Sequence, residues 1–194
     1  MLLAQVLSEG ITLLTADARR LSSRAVPFAY YERLSARNKR IYRQSDAVEK
    51  VVLPDAAALR PLVGEVAEAL GDEDRRATEA ACQRLADAML RQWKLPPVRI
   101  SVLAARPSRD WGELHGYYDQ TKAGVPPTIT LWMRTAQKKQ VVAFRTFLRT
   151  FLHEIGHHLD YELLRLAETV HTEGFYKRES SLFRQLVPEG DARE

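Results

Sequence analysis

The stretch VVAFRTFLRTFLHEIGHHLDY, residues 141–161, decides both the fold and the chemistry expected of this chain. Its large apolar residues recur every three or four positions, which is the spacing of one face of an α-helix. Within it, His153, Glu154 and His157 form the pattern His-Glu-x-x-His. Because residues four apart lie on the same helix face, the two histidines can bind one metal ion together. We therefore predict a metal-binding helix over residues 137–164.

Each residue type in this pattern suits zinc chemistry. Neutral imidazoles bind Zn²⁺ at about 2.0–2.1 Å, and a catalytic site keeps one position for a water whose pKa falls to about 7. Glu154 can accept a proton from that water as the water attacks a carbonyl. Gly156 is unusual inside a helix, where glycine costs roughly 1 kcal/mol relative to alanine. We interpret it as a point where another backbone segment approaches closely, or as simple tolerance.

Two histidines need a third ligand, and several later side chains are candidates for it. They are His158, Asp160, Glu162, Glu168, His171, Glu173 and Glu179. His158 points about 100° away from His157 around the helix, so we expect it beside the ligands or in solvent. Asp160 can orient a ligand imidazole, although a surface charge is an equally good interpretation.

His171 is our preferred third ligand, because this part of the sequence resembles the SprT-like branch of the zincin metallopeptidases. That family has a third histidine after a short connecting stretch, and a phenylalanine four residues later. Thirteen residues separate His157 from His171, and Phe175 has the place of that phenylalanine. Upstream, Gly116 with the two tyrosines after it, and then residues 128–131, look like the family's glycine and edge strand.

The resemblance covers roughly residues 75–187, and Thr172 departs from it by replacing a common glycine. It implies that His153, His157 and His171 bind one Zn²⁺ and that Glu154 is the catalytic base. It also implies hydrolysis of peptide bonds in a protein or peptide substrate.

A second resemblance offers a different third ligand. Residues 179–188 look like the helix after the motif in ImmA/IrrE-like metallopeptidases, where a glutamate is the third ligand and a phenylalanine follows four residues later. This alternative makes Glu179 the ligand and implies a regulatory protease that cleaves one specific repressor. A third hypothesis is a non-enzymatic protein that binds nucleic acid and has a structural metal site.

Length and composition limit the class of protein. The 194 residues, 45% hydrophobic and 28% charged, are typical of one full globular domain or of one domain with an extension. No apolar run is long enough to cross a membrane. The N-terminus has no clear secretory signal, and one cysteine excludes an intramolecular disulfide, so we expect a cytoplasmic protein. The sequence does not predict an oligomeric state.

The excess of positive charge lies at the N-terminus. Residues 1–50 contain nine Lys and Arg against five Asp and Glu, which accounts for the whole net charge of +4. Basic residues interleaved with tyrosines over residues 30–43 can bind nucleic acid. The solvated face of a helix is the alternative that we favour.

The order of predicted elements gives an α+β fold. Helices are expected over residues 1–24, 29–45, 54–70, 73–94, 137–164 and 173–187. Asp72 is expected to cap the helix over residues 73–94. Strands are expected over residues 98–104, 114–118 and 128–133. We predict a basic helical extension, residues 1–53, followed by a zincin-like domain, residues 54–194. In that domain a small twisted sheet packs on the metal helix, and Thr128–Trp132 forms the sheet edge beside the cleft, where a peptide can pair.

Overall fold

The structure, a computed structural model, describes residues 28–109, 112–113, 115–120 and 124–188. The predicted helix over residues 1–24 lies outside them. The described α-helices are α1 (Ala36–Asp46), α2 (Arg60–Gly71), α3 (Arg75–Gln92), α4 (Phe144–Glu162) and α5 (Glu173–Leu186). The described strands are β1 (Arg99–Ala105), β2 (Ser108–Arg109), β3 (Gly112–Glu113), β4 (Gly116–Asp119) and β5 (Thr128–Arg134). Short 3₁₀ turns cover Ala29–Arg33 and Ala57–Leu59. This mixture of helices and a small sheet confirms the α+β class.

The main sheet has three strands in the order β1-β5-β4, and β2 and β3 form a separate pair. β1 runs parallel to β5, and β4 runs antiparallel to it, with Gly116 opposite Leu131. The prediction that Thr128–Trp132 forms the sheet edge is therefore wrong, because β5 is the central strand. The physical reason is burial: Ile129 and Leu131 are fully buried, whereas β4 is half-exposed and suits an edge.

The buried apolar residues of the helices and of the main sheet form a continuous core. α3 packs on β1, and α4 packs on β4, β5 and α5. Leu85 and Met89 of α3, Val102 of β1 and Leu152 of α4 have no exposed surface. The core thereby fixes one face of α4, and the histidine-bearing face is turned toward the edge strand β4.

α4 begins at Phe144, seven residues later than predicted. Before it, the chain folds back on the end of β5: the N–H of Val142 donates to the carbonyl of Met133 at 2.7 Å. Lys139 has a left-handed φ of 54°, which ends any helical pattern there. The helix prediction failed here because neither glycine nor proline marks this turn.

Other helix starts also differ from the predictions. The second segment is a 3₁₀ turn followed by α1, which Ser35 caps by accepting from the N–H of Asn38 at 3.2 Å. The next two helices begin at Arg60 and Arg75. Asp74, not Asp72, caps α3 by accepting backbone N–H groups at 2.9 and 3.0 Å. A carboxylate directly before the first helical residue can reach those donors, as a capping residue must.

The end of α1 packs against the start of α5. The N–H of Gly174 donates to the Asp46 side chain at 2.9 Å. A Cβ at Gly174 would lie 2.4 Å from the Asp46 carbonyl oxygen, so only glycine permits this contact. A domain boundary after residue 53 remains a prediction.

Within the described part of the chain, none of the helices is both long enough and apolar enough to span a membrane. The cytoplasmic location stays a prediction.

Candidate metal centre

α4 and the loop before α5 bring three histidines together. α4 presents His153 and His157 one turn apart, and His171 lies just before Thr172, whose hydroxyl caps α5 by accepting from the N–H of Phe175 at 3.0 Å. The Nε2 atom of His171 lies 3.0 Å from that of His153 and 3.2 Å from that of His157. Tetrahedral ligands at about 2.0–2.1 Å from one zinc ion lie roughly 3.3–3.4 Å apart. The three nitrogens therefore fit a single ion.

Hydrogen bonds between the rings explain this arrangement less well than a shared metal ion does. A ring nitrogen has either one hydrogen or one lone pair. The Nε2 of His171 faces two other Nε2 atoms at hydrogen-bonding distance, so it cannot form a regular linear bond to both. Three lone pairs directed at one ion satisfy all three nitrogens.

The Nδ1 atom of His153, on the other side of the ring, has a partner that favours one tautomer. This Nδ1 lies 3.2 Å from Oε2 of Glu179. An ionised carboxylate only accepts, so Nδ1–H of His153 donates and Nε2 keeps its lone pair for a metal. Glu179 therefore contacts the Nδ1 atom of His153, whereas His171 contacts the Nε2 atom of the same ring.

His157 is oriented by a hydroxyl in the same way. The Thr169 hydroxyl donates to Oδ2 of Asp160 at 2.9 Å and lies 2.7 Å from Nδ1 of His157. Since its hydrogen is used on Asp160, the hydroxyl oxygen accepts from Nδ1–H, which leaves the Nε2 lone pair of His157 free. The interpretation of Asp160 as a surface charge is wrong, because this residue is fully buried. Its effect on the His157 imidazole is indirect, through Thr169.

Burial also favours the neutral form of the His157 and His171 rings, because it lowers the pKa of each. It lowers the pKa of His157 to about 3, and the nearby His153 and His171 lower this pKa further. The pKa of His171 is lowered mainly by burial and then by His153, while Glu179 opposes the shift. Neutral imidazoles are the form that binds a metal.

Phe175 forms the apolar floor of the histidine cluster. Its ring centroid lies 4.9 Å from the rings of His153 and His157 and 5.3 Å from that of His171. A Cβ at Gly156 would lie 3.0 Å from this ring. A close approach at Gly156 is therefore present, but the neighbour is an aromatic side chain rather than the predicted backbone segment.

Glu154 lies between α4 and the edge strand β4. Only 4% of it is exposed, and a Cβ at Gly116 would lie 2.4 Å from its Oε1. Glycine at 116 is therefore required for the carboxylate to keep this position. Burial raises the pKa of Glu154 to about 7, although the neighbouring His153 opposes the shift. A carboxyl group with such a pKa can exchange a proton near neutrality.

A cleft of about 940 Å³ opens in front of these residues. β4 forms one wall, α4 and α5 the other, and the three histidines and Glu154 lie along it. His158 is not part of the cluster of three histidines, and it does not face solvent. It is fully buried, and its two ring nitrogens contact the Tyr118 hydroxyl at 3.1 Å and the Pro96 carbonyl at 3.0 Å. It thereby ties the edge strand to α4.

The basic N-terminal segment contacts this centre through its aromatic residues. The hydroxyl of Tyr30 donates to the His171 carbonyl, and Tyr42, 1% exposed, packs against Tyr30 and Tyr31. Within the described part of this segment, from residue 28 onward, four arginines are exposed: Arg33, Arg37, Arg40 and Arg43. The tyrosines therefore contribute to packing, and nucleic-acid binding by the arginines stays a prediction.

Comparisons of the chain with known protein families, with curated proteins and with solved structures found no match. The geometry of the site is thus the basis for assigning a function. Sequence reasoning missed the part played by Thr169, which is a common residue type without a distinctive spacing.

Proposed function

We propose that this chain is a zinc-dependent metallopeptidase of the zincin type, similar to the SprT-like branch. One observation carries the proposal: three imidazole nitrogens, one each from His153, His157 and His171, lie within 4.8 Å of one another, and the buried carboxyl group of Glu154 lies in the same open cleft. Three protein ligands with a fourth side open to solvent are typical of a catalytic zinc site, whereas structural sites have four. This favours an enzyme over a purely structural metal site.

The chain's own residues have distinct roles in the proposed reaction. His153, His157 and His171 hold the ion, and Glu179 and Thr169 keep two of these rings in the tautomer that binds metal. A bound zinc ion would supply a Lewis acid that polarises the scissile carbonyl and lowers the pKa of water. Glu154 accepts the proton of the attacking water and passes it to the leaving amine, so that one carboxyl group acts first as base and then as acid.

The edge strand supports an extended peptide as the substrate. Among the described residues, β4 pairs on one side only, with β5, and Gly116–Asp119 line the cleft. A peptide that adds a strand here would form main-chain hydrogen bonds along β4. Such pairing places the peptide's carbonyl groups beside the histidines and Glu154, whatever its side chains are.

Removal and return of the metal tests this function. We expect the purified chain to cleave an unfolded protein such as denatured casein, to lose this activity after dialysis against a chelator, and to regain it with one equivalent of Zn²⁺. Mass spectrometry of the products should show new termini from hydrolysed peptide bonds. A zinc-loaded chain that leaves casein and a library of unfolded peptides uncut would contradict the proposal.

Gly116→Ala should separate the position of Glu154 from metal binding. The added methyl group displaces the carboxyl group, and a shift of about 1 Å can cost on the order of 10²-fold in rate. Zinc affinity should stay within about twofold, because the three atoms nearest to the added methyl group all belong to Glu154, which is not among the three converging side chains. Gly64→Ala on α2 is the matched control, since a Cβ there has no neighbour within 4 Å. Equal rates for the two variants would refute the packing role of Gly116.

A further inference from the structure

A series of buried polar contacts connects His157 to α1, a helix that is distant in sequence. From His157 the contacts pass through the Thr169 hydroxyl to Oδ2 of Asp160, at 2.7 and 2.9 Å. The other oxygen of Asp160, Oδ1, accepts from Nη2 of Arg178 at 2.7 Å. The side chains of this ion pair are 0% and 3% exposed, so solvent does not weaken the contact.

Arg178 also donates to the end of α1. Its Nη1 donates to the carbonyls of Ser45 and Val48 at 2.6 and 2.5 Å, and Nη2 also donates to the Ser45 hydroxyl at 3.0 Å. The last carbonyls of a helix lack intrahelical partners, and a cation is favourable there. One planar guanidinium group therefore binds the C-terminal end of α1 on one side and Asp160 on the other.

We propose that the C-terminal end of α1 positions the metal ligand His157, acting through Arg178, Asp160 and Thr169. The inference depends on the proposed metal centre. Residues 36–48 are then a part of that centre, although α1 belongs to the segment predicted as a separate extension. Ser45 and Arg178 are positioning residues, because they contact neither the ion nor the substrate.

The chain of contacts predicts which changes weaken metal binding. Partners of a ligand imidazole typically contribute 10–100-fold to metal affinity. Thr169→Val removes the acceptor for Nδ1–H while keeping the shape of the side chain, so Zn²⁺ affinity should fall 10–100-fold. Thr169→Ser keeps the hydroxyl and should restore affinity to within about threefold of the wild type. This rescue distinguishes orientation of His157 from packing.

Ser45→Ala tests the end of this series of contacts that is farthest from His157. It removes the hydroxyl that accepts from Nη2 of Arg178 and that also lies 3.4 Å from the Thr172 hydroxyl. We expect Zn²⁺ affinity to fall several-fold, with a changed d–d absorption spectrum of the Co²⁺-loaded protein. Ser35→Ala at the other end of α1 is the matched control, because it weakens the helix through loss of its N-cap and leaves Arg178 untouched. Thermal unfolding followed by circular dichroism confirms that each variant is folded.

The double variant decides whether Ser45 acts through Thr169. In the Thr169→Val background the coupling is already broken, so Ser45→Ala should cause no further loss of Zn²⁺ affinity. Competition with a chromophoric chelator measures all these affinities. The inference is overturned if Ser45→Ala lowers affinity no more than Ser35→Ala, or lowers it equally in both backgrounds. Normal Zn²⁺ binding without peptide hydrolysis would instead refute only the proposed function, and a wild-type chain that binds no Zn²⁺ would refute both.

Discussion

Glu154→Gln is expected to lower the rate of peptide hydrolysis by about 10²–10⁴-fold, the usual contribution of a general acid–base group. Glutamine has nearly the same shape as glutamate and can fill the same space over Gly116, but it cannot accept a proton from water. Zinc affinity should remain within a few-fold of the wild-type value, because Glu154 is not among the three converging side chains. The measurement is kcat/KM on an unfolded protein substrate, with zinc content determined on the same sample.

Glu162→Gln is a suitable control for this substitution. It lies on the same helix, is half-buried and pairs with Arg165 at 3.1 Å, outside the cleft. We expect this variant to keep wild-type activity. Full activity of Glu154→Gln would exclude Glu154 as the base and with it the proposed reaction.

His171→Ala should lower zinc affinity by more than a hundredfold, beyond the 10–100-fold expected for a residue that only supports a ligand. The variant removes one of three converging nitrogens from a loop position that is partly exposed, so the fold should survive. Chelator competition with Zn²⁺ gives the affinity, and the thermal unfolding temperature of the metal-free protein should barely change.

Glu179→Ala is the comparison that separates the two candidate ligand sets. Because Glu179 accepts from Nδ1 of His153, its loss should cost only about 10–100-fold in zinc affinity. In the ImmA/IrrE-like alternative the order is reversed, with Glu179→Ala more damaging than His171→Ala. That reversed order would overturn the assignment of the third ligand.

The local parts of this site could be predicted from sequence, because they depend on helix geometry. The spacing of His153 and His157 places both rings on one face of α4, and the adjacent position of Glu154 brings it to the same region. His171 lies beyond a loop whose path no periodicity predicts, so only the family resemblance favoured it over Glu179.

Features that depend on tertiary contacts could not be predicted in the same way. β5 was expected at the sheet edge, since strand order is set by pairing between distant segments and not by the composition of one strand. The burial of Asp160 becomes evident only when Arg178, eighteen residues later, is seen to pair with it. Gly156 and Gly116 were noticeable as glycines, but the side chains that require them, Phe175 and Glu154, are identified only in the folded chain.

Zinc K-edge X-ray absorption on the wild-type chain, together with its zinc content, tests the central claim most directly. We expect one zinc per chain, bound by three imidazole nitrogens at about 2.0–2.1 Å and one further light atom. A chain that retains no zinc after equilibration with Zn²⁺, or a spectrum with fewer than three imidazoles, would contradict it.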